Sequence, residues 1–142
     1  MRVMTSRPFA AAVDTLRGAG LRPTRQRLSL ARLLFDGADR HVTAEQLHSQ
    51  AERDGVRVSL ATVYNTLHQF TDAGLLREVV VEAGRSYFDT NTQGHHHFFE
   101  AETGRLIDIP ADQVSIGSLP SAPPGAEIER VDLIVRVRKA AG

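Results

Sequence analysis

Residues 58–68 read Val58-Ser-Leu-Ala-Thr-Val-Tyr-Asn-Thr-Leu-His68, and residues 75–89 read Leu75-Leu-Arg-Glu-Val-Val-Val-Glu-Ala-Gly-Arg-Ser-Tyr-Phe-Asp89. In the first stretch Ser59 is an N-cap residue, Val63, Leu67 and Phe70 recur on one helical face, and Gly74 is a stop signal. In the second, Leu75–Val81 and Arg85–Asp89 are β-rich runs joined through Glu82-Ala-Gly84, a hairpin signal. A helix feeding a two-stranded hairpin is the closing half of a winged helix.

The upstream sequence supplies the opening half. Phe9, Val13 and Leu16 mark a first helix ending at Gly18 or Gly20. Thr24 caps a second with Leu28, Ala31, Leu34 and Phe35 on one face. Thr43-Ala-Glu-Gln46 is a capping box opening a third helix, through Leu47 and Ala51 to Gly55. Beyond Asn91-Thr-Gln-Gly94 the pattern changes to a strand near His96–Ala101, a turn at Thr103-Gly104 and a strand at Leu106–Ile109. A helical turn is expected within Pro110–Leu119, then a stiff Pro-rich loop at Ser118–Gly125 and a final strand over Ile128–Val137. The fold class is α+β: a winged-helix domain (1–90), expected to bind DNA, followed by a small α/β domain (91–142), expected to dimerise and to sense metal or haem. The second domain is too slight to stand alone and calls for a twin chain.

With 142 residues, 42% of them hydrophobic, the chain can bury a core, and with no cysteine it can form neither disulfides nor thiolate metal sites. The start MRVMTSRPFA lacks an apolar stretch and no segment approaches a membrane span, so a cytoplasmic location with no membrane partner is expected. Net charge is zero, but residues 1–32 hold seven arginines against the single acid Asp14, while residues 84–142 hold six basic and eight acidic groups. The basic end suits phosphate. In a chain whose only lysine is Lys139, it equally suits a solvated helix face.

His95-His-His97 precedes two phenylalanines. Neutral imidazole binds iron, zinc, manganese or haem near pH 7, although adjacent histidines are often merely solvated. Side chains alternate along a strand, so His95 and His97 point one way and His96 and Phe98 the other. Histidines on one face of one strand cannot be the two axial ligands of a single haem. In a winged helix, the helix before the hairpin enters the major groove. Ser59, Thr62, Tyr64, Asn65 and Thr66 can there meet phosphates, base edges or a thymine methyl; taken singly, each is more readily an exposed or core-edge position, and as a set they favour DNA.

Gly20-Leu-Arg-Pro-Thr-Arg-Gln-Arg27, His41-Val-Thr-Ala-Glu-Gln-Leu47 and Leu60-Ala-Thr-Val-Tyr-Asn-Thr-Leu67 resemble, in order and spacing, the DNA-binding domain of the ferric uptake regulator family. The likeness continues through Phe88-Asp89 and the histidine run to Leu106-Ile-Asp108. Within the family, the cysteine-free chain with its histidine run is most similar to the haem-responsive iron response regulators of alpha-proteobacteria. The resemblance implies a homodimeric repressor of iron uptake and haem biosynthesis genes on a palindromic, AT-rich operator. DNA contacts would come from Arg22, Arg25, Arg27, Ser59, Thr62, Tyr64 and Asn65. It also implies a divalent ion (iron, manganese or zinc) on His41 in the hinge-side helix, Asp89, His95, His97 and Asp108. His95, His96 and His97 become haem candidates, with the haem-biosynthesis machinery a further partner.

The departures from the family carry their own implications. Glu100-Ala-Glu-Thr103 stands where many members have a Cys-x-x-Cys zinc clip, so no structural Cys-ligated zinc is possible and packing must hold the small domain. Gly94 and Val131 stand at histidine positions of a further family metal site. Asn65 replaces the basic residue common after the recognition tyrosine, which points to a different base preference. Two other classes compete. A metal-dependent hydrolase finds no His-Glu-x-x-His, nucleophile elbow or phosphate loop, so no enzyme is expected. A metal or haem carrier that does not bind DNA would have no use for a recognition helix.

Overall fold

The computed structural model describes residues 2–141, with side chains from Phe9 onward. The side chains of Arg2 and Arg7, part of the basic start, lie outside the described residues. Among the described residues the helices are α1 (Arg2–Gly18), α2 (Arg25–Phe35), α3 (Ala44–Arg53) and α4 (Leu60–Asp72). The strands are β1 (His41–Val42), β2 (Arg77–Glu82), β3 (Arg85–Asp89), β4 (His95–Glu100), β5 (Arg105–Pro110) and β6 (Ile134–Val137). The chain divides at Thr92/Gln93 into two compact units. None of the described helices is long and apolar enough to cross a membrane.

Helix ends in the first unit follow their caps. Thr24, Thr43 and Ser59 each accept a hydrogen bond from the backbone N–H three residues on, and Gln46 completes the Thr43 capping box by accepting from the Thr43 N–H at 2.9 Å. α4 ends at Gly74, whose φ of +83° lets the Leu75 N–H donate back to the Phe70 carbonyl at 2.9 Å. Gly55 ends α3 the same way, with the Val56 N–H on the Ala51 carbonyl. Leu16, Leu30, Leu34, Leu47, Val63, Leu67, Phe70 and Phe88 form one buried core, in which the rings of Phe35 and Phe70 lie 6.1 Å apart.

β1, β3 and β2 form an antiparallel sheet in that order. This corrects the expected position of His41: it lies on a strand, not on a hinge-side helix. The reason is long-range pairing. His41 sits opposite Asp89 and Val42 opposite Phe88, and the Thr90 N–H donates to the Arg40 carbonyl at 2.9 Å just beyond the pair.

In the second unit the sheet order is β5-β4-β6, with β4 antiparallel to β5 and parallel to β6. The expected helical turn is a 3-10 turn at Ala111–Gln113. The last strand is shorter than the expected 128–137 because pairing with β4 starts only at Ile134. One residue earlier, the Leu133 N–H donates to His96 Nδ1 at 3.1 Å, a side chain standing in for a backbone partner. The β4–β5 turn is held by hydrogen bonds: the Thr103 hydroxyl donates to Glu100 Oε1, and the Gly104 N–H to the Glu100 carbonyl at 2.8 Å. Packing is therefore not the only restraint on the small unit.

Phe70→Ala should cost about 3–5 kcal/mol through the cavity it leaves, and Thr43→Ala about 1 kcal/mol through loss of the capping box. Urea unfolding followed by helix circular dichroism checks both. Equal effects would contradict a core centred on Phe70.

Candidate functional site

The alternation of β4 decides the geometry of the histidine run. His95, His97 and Phe99 are buried, while His96 is half-exposed and Phe98 exposed. The antiparallel register sets Asp108 directly opposite His97, which brings its carboxylate to the same face. His95 Nε2 and His97 Nε2 lie 3.6 Å and 3.3 Å from Asp108 Oδ1, and the two rings are 4.5 Å apart. The histidines are 6% and 1% exposed, whereas Asp108 is 51% exposed and opens the cluster to solvent.

A divalent ion suits this donor set. His95 Nδ1 faces the Gln93 carbonyl at 2.6 Å, so Nδ1 is the donor there and, in the neutral ring that binds metals, the lone pair sits on Nε2. In that neutral form Nε2 and the Asp108 carboxylate both present lone pairs to the space between them, where a cation can be held. Ligand atoms about 2.1 Å from an ion sit roughly 3.4 Å apart at a tetrahedral angle and roughly 3.6 Å apart at a trigonal one. The observed 3.3 and 3.6 Å match that spread. One donor atom from each of His95, His97 and Asp108 lies within 4.8 Å of the others. Imidazole with carboxylate suits iron, manganese or zinc.

In the first unit, His41 and Asp89 face each other across the β1–β3 pair. Asp89 is 1% exposed and accepts from the Asn91 N–H at 2.9 Å, while the His41 ring meets the Tyr87 ring edge-on at 6.1 Å. The sequence reading missed Arg77, which is 6% exposed and directly opposite Asp89. The signal was present: Arg77, Val79 and Val81 share the buried parity of β2, so a charge occupies an inward position.

On α4, Asn65 and His68 are exposed and Thr62 and Tyr64 half-exposed, but Thr66 is 5% exposed and belongs to the interior. Thr66 therefore cannot meet DNA as the sequence reading allowed. Ser59 Oγ accepts from the Thr62 N–H and donates to the Thr62 hydroxyl oxygen at 2.9 Å, which fixes both at the helix start. The Tyr64 hydroxyl donates to Glu45 Oε2 at 3.1 Å. That hydrogen bond, with desolvation and the Glu45 charge, raises the phenol above its ordinary value. Arg22 and Arg25 are exposed. Arg27 instead ties α2 to α4: Nε and Nη2 donate to Gln69 Oε1, each at 3.1 Å, and Nη1 donates to the Arg22 carbonyl at 2.9 Å.

The sequence model of the ferric uptake regulator family matches residues 18–135. The peroxide-responsive repressor PerR of Staphylococcus aureus is 33% identical over 104 residues, 73% of this chain and 70% of that protein. Two solved structures share the architecture. The ferric uptake regulator of Pseudomonas aeruginosa with manganese superposes with a TM-score of 0.69 at 29% identity, covering 92% of this chain and 98% of that one. The ferric uptake regulator of Vibrio cholerae gives 0.70 at 26% identity, covering 89% and 98%. These relatives identify the family and not the iron response regulator branch within it. Matched over most of its length by that family's model, and folded as a helical unit followed by a small α/β unit with an imidazole–carboxylate cluster on β4 and β5, the chain belongs to the ferric uptake regulator family.

Proposed function

We propose that this chain is a metal-responsive, DNA-binding transcriptional repressor whose regulatory ion is held by His41, Asp89, His95, His97 and Asp108. The convergence of His95 Nε2 and His97 Nε2 on one Asp108 oxygen carries the reading, because it is a donor set built for a cation. The short link from Asp89 to His95 permits recruiting Asp89 to the same ion. With residues 90–94 between them, the Cα atoms of Asp89 and His95 can never be more than roughly 22 Å apart. The bound ion would supply the positive charge shared by donors of both units. His95 is held in its ligating tautomer by the Gln93 carbonyl, and the β4–β5 pairing aligns His97 with Asp108. Fixing one unit to the other, in a homodimer, would set the spacing of two α4 helices and so bias the DNA-binding equilibrium.

On DNA, Thr62, Tyr64 and Asn65 are assigned to bases of a palindromic, AT-rich operator, with Ser59, Arg22 and Arg25 nearer the backbone. Arg27 acts chiefly through the α2–α4 tie. Its remaining guanidinium protons are available to phosphate. Iron uptake and haem biosynthesis genes are the targets that the iron response regulator likeness implies. The carrier alternative leaves the exposed α4 face without a use.

Haem sensing by the histidine run has less behind it. His95 and His97 are buried against Asp108, whereas a macrocycle needs an open face. His96 accepts from the Leu133 N–H through Nδ1, which leaves the proton on Nε2. Ligation at His96 Nε2 would move that proton to Nδ1 and cost the hydrogen bond that starts the β4–β6 pairing.

Metal analysis after manganese loading should find one ion per chain. His97→Ala should weaken binding by more than the roughly 10–100-fold typical of losing a supporting group around a metal. Asp108→Ala should act in the same direction. Full retention of manganese by both variants would sink the assigned site.

Operator binding by the manganese-loaded protein should fall with Tyr64→Ala and Asn65→Ala through lost preference over random DNA. Arg25→Ala should weaken all sequences alike and lower the salt slope by about one unit. Fluorescence anisotropy at several salt concentrations separates the two, and repeating it with iron, peroxide or haem identifies the signal. If all three variants bind as wild type does, α4 is not the reading helix.

A further inference from the structure

Arg77, Asp89 and His41 form a row across the three strands of the first sheet, since Arg77 and His41 each sit opposite Asp89 from its two sides. Opposite residues in antiparallel pairs share a face, with Cβ atoms about 4.5–5.5 Å apart. A guanidinium, a carboxylate and an imidazole thus stand side by side. Arg77 is 6% exposed and Asp89 1%, an arrangement that sequences avoid unless the charges answer each other. Taking a carboxylate out of water is costly without a partner, and arginine stays charged at any pH the protein meets. One Asp89 oxygen already accepts the Asn91 N–H, so its orientation is set from within the first unit.

We propose that Arg77 is the resident counter-ion of Asp89 and, as a positioning residue, sets the affinity of the regulatory ion. This rests on the reading of Asp89 as a ligand. Arg77 holds the carboxylate buried, charged and aligned beside His41 before any metal arrives. When a divalent ion takes Asp89, a second cation is brought into the neighbourhood of a fixed guanidinium, and their repulsion weakens binding. The arginine therefore makes the metal-free form stable and raises the metal concentration needed for loading. A sensor benefits from both, because it must persist without its ion and release the ion when the supply falls.

The test compares Arg77→Met, Arg77→Gln and Arg77→Lys in the full-length chain, reading manganese affinity by chelator competition and thermal melting with and without manganese. Arg77→Met and Arg77→Gln should melt lower without metal and bind manganese on the order of tenfold more tightly. Manganese should raise their melting temperature by more than it raises that of wild type. Arg77→Lys keeps the charge and should restore wild-type affinity. Arg77→Gln, which can still hydrogen-bond Asp89, serves if Arg77→Met does not fold without metal. Unchanged or weaker manganese binding in the neutral variants would overturn the proposal, as would tighter binding in Arg77→Lys equal to theirs. Asp89→Asn separates the two layers. If it keeps wild-type affinity, Asp89 is not a ligand and the site assignment fails, together with this role for Arg77. If it loses affinity while the neutral Arg77 variants do not gain it, only the counter-ion role fails.

Discussion

The two-residue period of β4, locked by its pairing with β5, is the constraint on which the candidate centre depends. Asp108 meets His97 because the two are opposite in an antiparallel ladder, and His95 joins them because it is two residues from His97 on the same face. A slip of one residue would turn His95 and His97 outward and bring His96 and Phe98 in. The buried Phe99 on the inward face and the half-exposed Glu100 on the other hold that register. The geometry of the cluster is thus secured by packing along the whole strand and not by its own three side chains alone.

The turn joining β4 to β5 adds a local restraint of its own. Thr103 and Gly104 both bond to Glu100, closing the hairpin with groups that need no ion and no redox control. At the far edge, His96 anchors β6 through the Leu133 N–H. Three consecutive histidines consequently do different jobs: the two outer ones converge on a carboxylate, and the middle one ends a ladder.

In the first unit, several groups suited to DNA are already engaged inside the protein. Tyr64 is held by Glu45, Thr62 by Ser59, and Arg27 by Gln69 and the Arg22 carbonyl. Such contacts fix the side-chain orientations in the free chain, and in the proposed DNA complex they would reduce the entropy lost on docking. They also concern stability as much as recognition, since the Arg27 tie joins α2 to α4 and positions the helix that is exposed at Asn65.

The sequence by itself determined what depends on near neighbours along the chain. Thr24, Thr43 and Ser59 announce helix starts because a capping side chain reaches only three residues ahead, and Gly74 announces a stop because only a residue tolerant of positive φ closes that turn. The shared face of His95 and His97 follows from strand alternation, and the residues of the candidate site are legible through family resemblance. Only the tertiary structure decided what depends on residues far apart. It set His41 on a strand, because its partner is Asp89 and not a helical neighbour. It turned Thr66 inward, bound Arg27 to Gln69, started β6 at Ile134 and seated Arg77 beside Asp89. A single sequence records which residues can bond; which ones do is settled by the register of strands and the packing of helices that bring distant segments together.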